Sequence, residues 1–301
     1  MTARLRLVVT GSQGQVVRAL GERAVQHDVD VIALGRPQLD LLQPAKIFAA
    51  LEAARPDVVV SAAAYTAVDL AESNAAEAHA VNAVGAGEVA RAAASLGVPV
   101  VHLSTDYVFD GTLGRPYRED DPTGPVGEYG RGKLAGEQAV AAANPAHAIL
   151  RTAWVYSPFG KNFVRTMLNL AATREEINVV ADQRGSPTSA HDIADGVIEV
   201  ARHLRSNTAP GGVFHMTAQG EATWAEFAEA IFALSHMAGG PFARVKPIPT
   251  SAYPTPARRP ANSRLDNAKL AREHGVSLPH WRDALAVCVA RLVPGEFRKA
   301  S

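Results

Sequence analysis

Cysteine is nearly absent from this 301-residue chain; the single one, Cys288, lies in the apolar helical stretch ALAVCVARL. A lone thiol forms no internal disulfide, and its surroundings read as core packing rather than as a nucleophile. Net charge is missing as well, since thirty basic residues cancel thirty acidic ones. No global field therefore draws the chain to nucleic acid or to an anionic membrane. No apolar run approaches the ~20 residues that a membrane span needs. Arg4 and Arg6 lead only into a short apolar run before Gly11, which reads as a first strand and not as a signal peptide. Internal repeats and low-complexity tails are also lacking. What remains is 47% hydrophobic residues, enough for a large core in one or two domains of a protein expected in the cytoplasm.

Short, wholly apolar strands alternate with helical spacings through the first half. Strands are expected at Leu5–Val9, Val29–Leu34, Val58–Ala64, Val98–Ser104 and Ala148–Thr152. Helices are expected at Gln15–Gln26, Gln43–Ala54, Asn74–Leu96 and Tyr129–Ala143. Near-continuous apolar strands separated by helices predict a doubly wound parallel α/β sheet of the Rossmann type, covered on both faces. After residue 155 the rhythm loosens. Helices near 163–172, 191–204 and 224–234, strands INVVAD and VFHMT, a Pro-rich loop from Pro247 to Pro260 and two closing helices suggest a smaller α/β domain. The chain is expected to cross between the two domains more than once.

Where the first strand feeds the first helix, the sequence runs Gly11-Ser-Gln13-Gly14-Gln15-Val-Val17. Glycines there let backbone N–H groups and a helix N-terminus approach a pyrophosphate. The third position of the G-x-x-G-x-x-G spacing holds Val17, which is expected to push the helix slightly away from the strand. Arg36, at the end of the second strand, is placed for the 2′-phosphate of NADP, where an acidic residue would favour NAD. A solvated surface arginine is the plain alternative. Asp40 is placed either to face the adenine or ribose or to cap the next helix.

Tyr129 and Lys133 are four residues apart and share one helix face. An ammonium beside the phenol is expected to lower its pKa from the ordinary ~10. Thr105, at the carboxyl end of the fourth strand, is positioned to hydrogen-bond a substrate oxygen. Together the three residues suit carbonyl reduction, with hydride from a nicotinamide and the proton from Tyr129. Alone, a YxxxK pair is common by chance; its position after a phosphate turn and a strand-end threonine gives it meaning.

These motifs resemble the extended short-chain dehydrogenase/reductases and, within them, the dTDP-4-dehydrorhamnose reductase family. The blocks GSQGQ, RPDVVVSAAAYTAVDLAES, VNA, STDYVFDG, YGRGKLAGEQ, RTAWVYSPFGKNF, DQRGSPTSA and SAYPTPARRPANSRLD carry the resemblance almost end to end. It implies NADPH, with NADH often tolerated, and reduction of the keto group at the fourth carbon of a nucleotide-linked sugar. It implies residues 1–155 as the cofactor domain, with return segments near 185–216 and 255–270, and residues 156–301 as mostly the substrate domain. By motif position it implies Thr105, Tyr129 and Lys133 as catalytic. Gly11, Gln13, Gly14, Gln15, Arg36, Asp40, Leu41, Ala62, Ala63, Ala64 and Tyr65 fall along the cofactor. Thr66, Val68, Tyr107, Trp154 and Asn162 fall around the sugar, although Trp154 also reads as a core aromatic. Arg258, Arg259 and Arg264 lie in a basic loop, and Arg259 is the one expected to meet the diphosphate.

Some family members hold Mg²⁺ at a dimer contact through a glutamate after the GxPT loop. Here that position is His191, followed by Asp192, so no Mg²⁺ and a monomer or weak homodimer are expected. Dehydration, which uses an Asp-Glu pair after the threonine, is disfavoured by Asp106-Tyr107. A 4-epimerase, a ketoreductase giving another deoxysugar, and a non-catalytic subunit like the methionine adenosyltransferase β subunit stay open at this point.

Overall fold

The computed structural model describes residues 4–297. The first half comprises β1 (Leu5–Thr10), α1 (Gln15–Arg23), β2 (Val29–Leu34), α2 (Ile47–Ala54), β3 (Val58–Ser61), α3 (Ala86–Ser95), β4 (Val100–Thr105), α4 (Glu128–Ala143) and β5 (His147–Thr152). The second half contributes α5 (Phe163–Ala171), β6 (Glu176–Val180), α6 (Ala190–Ser206), β7 (Gly212–His215), α7 (Trp224–Met237), β8 (Arg244–Ile248), α8 (Ala268–His274) and α9 (Trp281–Glu296).

Six strands form one parallel sheet in the order β7-β5-β4-β3-β1-β2. Successive side chains of a strand point to opposite faces, and both faces are apolar here. Leu7, Val9, Val58 and Val60 pack with Leu20 of α1 and Ile193 and Val197 of α6. Val8, Val59 and Val100 pack the other way, against Ile47 and Leu51 of α2 and Val89 of α3. This two-sided burial is the reason the strands read as unbroken apolar runs. The chain thus returns to the first sheet after residue 155, through α6 and β7. A second core joins Val164, Leu168, Ile177, Phe227, Phe232, Trp281, Leu285 and Val289, from α5, β6, α7 and α9.

Two elements differ from expectation. β8 includes Pro247, which the sequence reading assigned to a loop. Among the described residues it pairs with β6 alone, in a two-stranded parallel sheet, and a proline lacking its N–H is tolerated on such an edge. The helix expected over Asn74–Leu96 is interrupted by a π-helical stretch, Ala80–Gly85. That stretch presses on α4: a Cβ on Gly136 would stand 2.1 Å from the Asn82 carbonyl oxygen, so only glycine fits.

Inside the sheet edge lies a buried ion pair. Glu137 of α4 receives Arg151 of β5 in a two-toothed contact, Nε to Oε1 at 3.0 Å and Nη2 to Oε2 at 2.7 Å. Ser104 of β4 also donates to Glu137, so three elements meet on one carboxylate. Removing one partner of such a pair strands a buried charge, which costs about 3–5 kcal/mol, whereas apolar replacement of both is far milder. Glu137→Ala should therefore lower the urea unfolding midpoint sharply, and Glu137→Leu with Arg151→Met should recover much of the loss. Equal midpoints for Glu137→Ala and the parent would show that the pair does not hold α4 to the sheet.

Candidate active site

The strand order reverses between β1 and β3, and the carboxyl ends of those strands open the crevice in which open α/β sheets bind ligands. Thr10 ties the ends together: its Oγ1 accepts from the Ala62 and Ala63 N–H groups, each at 3.0 Å. Gly11 follows with φ +94°, a left-handed conformation that favours glycine. Gly14 is the N-cap of α1 and no side chain caps that helix, leaving its first-turn N–H groups free for an anion. Val17 is buried, with Cγ2 3.5 Å from where a Gly14 Cβ would stand; it fills the space beneath the turn. Gln13 is exposed on the turn. The Gln15 side chain points elsewhere, its Oε1 accepting from Ser157 at 2.7 Å and from Asn162 at 3.0 Å. Only the Gln15 backbone is left to face a phosphate.

Gly35 lies so close to Ser12 that a Cβ would fall 2.4 Å from its Oγ, and this apposition seats the exposed Arg36 beside the phosphate turn. Asp40 closes its own loop, with Oδ1 accepting from the Leu42 N–H at 3.0 Å, and does not cap the next helix, α2, whose N-cap is Lys46. Leu41 is buried with its backbone against Gly85. Ala62, Ala63 and Ala64 line the half-buried exit of β3. Asn82, in the π-helical stretch, clamps the next residue: Tyr65 N–H donates to its Oδ1 at 2.8 Å, and its Nδ2 donates to Tyr65 O at 3.1 Å. These small side chains and open N–H groups make a cradle that fits an NADP dinucleotide.

At the end of β4, Thr105 Oγ1 donates to Asp106 Oδ1 at 3.1 Å and accepts from the Tyr107 N–H at 3.3 Å. The Tyr107 and Tyr129 rings meet edge-to-face at 5.5 Å. Gly130 makes this possible: its missing Cβ would stand 2.2 Å from the Tyr107 carbonyl oxygen. Burial holds the Tyr129 hydroxyl up at about 12, with the Asp106 charge adding and a Thr105 hydrogen bond opposing. Burial also raises Asp106 to about 6, against hydrogen bonds from Ser263 and Thr105, and raises Tyr107 well above the usual phenol range. The expected lowering of Tyr129 by Lys133 is not what the structure has. Lys133 Nζ turns inward, donating to Leu103 O at 2.7 Å and to His102 Nε2 at 3.3 Å, so desolvation of the phenol wins. Burial lowers Lys133 itself to about 8, with Glu137 pulling it back up.

Above these residues two distant blocks close on each other. Asp69 Oδ2 accepts from Arg259 Nη2 at 2.8 Å, and Asp69 Oδ1 accepts from the Ala257 N–H at 3.2 Å. Arg259 also donates to Thr255 and to Ala257 O, and its charge reaches Tyr107. The clasp ties down the segment that carries Thr66 (exposed) and Val68 (half-buried). Asp69 escaped the sequence reading; its membership of the TAVDLAES block was the available signal. Beyond the clasp runs a cleft of about 990 Å³, lined by α5, β6, β8 and the 250–259 loop, with Trp224, Tyr253 and Arg258 among its walls. Trp224 is a second omission of the sequence reading. Trp154 stacks on it, ring centroids 3.5 Å apart and planes at 9°. Gly185 leaves room for that indole, since a Cβ would stand 2.4 Å from Trp154 Cε2. Asn162 does not present its side chain to a ligand: it caps α5 and donates to Ser157 O and Phe159 O. Arg264 is likewise engaged, with Asn262, Glu221 and Gly114.

His191 Nε2 lies 2.9 Å from Glu22 Oε2, and Arg291 grips the same carboxylate at 2.6 and 2.7 Å. Arg291 first, and His191 after it, hold Glu22 down at about 2 against burial. Burial raises neighbouring Asp192 to about 6, with Asp195 adding. Among the described residues no group of three or more His, Cys, Asp and Glu side chains is arranged to hold a metal, and no helix is long and apolar enough to cross a membrane.

A dinucleotide crevice with a phenol and an ammonium at its mouth defines an NADP-dependent oxidoreductase of the extended short-chain type. The RmlD substrate binding domain family matches residues 5–293, and the chain belongs to that family. The dTDP-4-dehydrorhamnose reductase of Sinorhizobium fredii is 52% identical over 93% of this chain and 95% of its own length. A probable dTDP-4,6-dihydroxy-2-methyloxan-3-one 4-ketoreductase of Streptomyces antibioticus is 44% identical, over 93% of this chain and 93% of its own. The Bacillus anthracis dTDP-4-dehydrorhamnose reductase, solved in complex with NADP, superposes with a TM-score of 0.90 at 32% identity, covering 96% of this chain and 100% of the other.

The close passage at Gly130 is directly testable. Gly130→Ala should shift Tyr129 relative to Thr105 and lower kcat on the order of 10²-fold, with NADPH affinity little changed by fluorescence titration. Unaltered kcat would show that the tight passage does not position the tyrosine.

Proposed function

We propose that this chain reduces dTDP-4-dehydro-L-rhamnose to dTDP-L-rhamnose with NADPH, NADH being tolerated. The observation that carries this reading is the convergence at one mouth of Thr105, Tyr107 and Tyr129 with the Asp69–Arg259 clasp. Bound NADPH supplies the hydride for the sugar's fourth carbon. Thr105 hydrogen-bonds the keto oxygen and Tyr129 protonates it. A phenol held at about 12 stays protonated through the neutral range and still gives its proton to the more basic alkoxide. Lys133 holds the nicotinamide ribose hydroxyls, and Gly11, Gln13, Gly14 and the Gln15 backbone take the pyrophosphate. Arg36 takes the 2′-phosphate. Thr66 and Val68 shape the sugar site beneath the clasp.

Arg259 has five N–H donors, and the three bonds to Thr255, Ala257 and Asp69 leave two of them for a diphosphate. The adjacent cleft, with Trp224 and Tyr253 on its walls, takes the nucleoside. Residues 1–155, with returns near 185–216 and 255–270, form the cofactor unit in this reading, and residues 156–301 mostly the substrate unit. Residues 1–3 and 298–301 of those spans lie outside the described residues. The chain acts in the cytoplasm as a monomer or weak homodimer, without nucleic-acid, membrane or Mg²⁺ partners. The commitment of Glu22 to Arg291 and His191 supports the last point. A second reading, a 4-ketoreductase giving a different deoxysugar, is favoured by the Streptomyces antibioticus relative.

Tyr129→Phe removes the proton donor, and kcat with the keto sugar should fall at least ~10²-fold with an unchanged circular dichroism spectrum. Turnover near that of the parent would refute the assignment. Arg36→Ala should narrow the preference for NADPH over NADH, measured as the ratio of the two kcat/KM values. An unchanged ratio would mean that Arg36 does not read the 2′-phosphate.

A further inference from the structure

Lys133 is 3% exposed, so its ammonium depends on fixed acceptors inside the protein. It finds the Leu103 carbonyl and the His102 imidazole. An ammonium donates three hydrogen bonds and accepts none, so His102 Nε2 must offer a lone pair. His102 is itself buried and beside a cation, and both effects hold it neutral, well below the ordinary histidine pKa. Its proton therefore sits on Nδ1, which lies 3.0 Å from Ser61 Oγ at the end of β3. Ser61 is 1% exposed. The line Lys133–His102–Ser61 thus stops inside the protein and is no route for protons to solvent. Its capacity is to hold the lysine head: two N–H bonds are fixed and one is left over.

We propose that His102, locked as its Nδ1–H tautomer by Ser61, is a positioning residue that seats the catalytic lysine so that its one remaining N–H meets the cofactor ribose. The inference rests on the functional reading above for what Lys133 does, but the seat is a property of this chain alone. The other titratable or charged groups around Lys133 are Tyr129 and Glu137 on its own helix, Arg151 on β5 paired with Glu137, and Asp106 past the end of β4. Among the described residues Nζ donates to His102 Nε2 and the Leu103 carbonyl and to none of these groups. An acceptor favours the charged form of a lysine. Removing it should lower the Lys133 pKa from about 8. Activity that needs the ammonium is present below that pKa and lost above it, so the alkaline limb should move toward lower pH.

The test compares His102→Leu, which has no acceptor, with His102→Gln, whose side-chain oxygen can accept from Nζ. His102→Leu should move the alkaline limb of kcat/KM, and of NADPH affinity by fluorescence titration, down by about one pH unit. His102→Gln should restore both toward the parent. In parallel, ¹⁵N-histidine NMR of the parent should show His102 neutral with its proton on Nδ1 from pH 6 to 9. If His102→Leu does not fold, the NMR result and the His102→Gln profile still decide. An Nε2–H tautomer, or a His102→Leu protein whose two pH profiles match the parent, would overturn the proposal. A parent that binds NADPH but fails to reduce the keto sugar would sink the functional reading and leave the seat standing.

Discussion

A buried ammonium at the carboxyl edge of a parallel sheet is the constraint around which this molecule is arranged. The proposed role of Lys133 needs its charge, while burial disfavours that charge, and these demands oppose each other. The fold reconciles them with acceptors drawn from β4 and with a counter-charge one helical turn away, Glu137. Glu137 in turn is bound to Arg151 on β5 and Ser104 on β4. The lysine's environment is therefore built from the same contacts that dock α4 on the sheet. Gly130 and Gly136 matter for the same reason: they let α4 come close enough for those contacts to form.

The second constraint is geometric. The molecule has two main cores, one under the sheet and one among α5, β6, α7 and α9. The chain crosses between them and returns, and residues 69 and 259, far apart in sequence, meet. A carboxylate is needed there because Arg259 would otherwise be free to swing; held by Asp69, Ala257 and Thr255, its guanidinium is preorganised, and a planar fork held in place loses little freedom on binding a second anion. The clasp ties the segment carrying Thr66 and Val68 to the loop that walls the neighbouring cleft.

Much of this was legible in the chain itself. Unbroken apolar strands, glycines after β1 and the YxxxK spacing all report local requirements, and local requirements leave local signatures. The parallel α/β sheet and its first five strands followed from them, whereas β7, read with the smaller second domain, is the sixth strand of that sheet. What was missed depends on partners distant in sequence. β8 was hidden because Pro247 reads as a breaker until its edge position is known. Asn162 read as a ligand group, yet its amide is consumed in capping α5 and bridging to Gln15. Trp224 carries no motif that marks it, and Asp69 is marked only by its place in the TAVDLAES block. The direction of Lys133 was misread because helical spacing says which face it shares with Tyr129 and nothing of the histidine waiting on β4.

The central claim is that these groups deliver a hydride and a proton to one carbonyl of a nucleotide-linked sugar. Its most direct test is to supply dTDP-4-dehydro-L-rhamnose and NADPH to the purified protein and identify the sugar by NMR. Stoichiometric NADPH oxidation with dTDP-L-rhamnose as product is the predicted result. No oxidation, or a product epimeric at the fourth carbon, would contradict it.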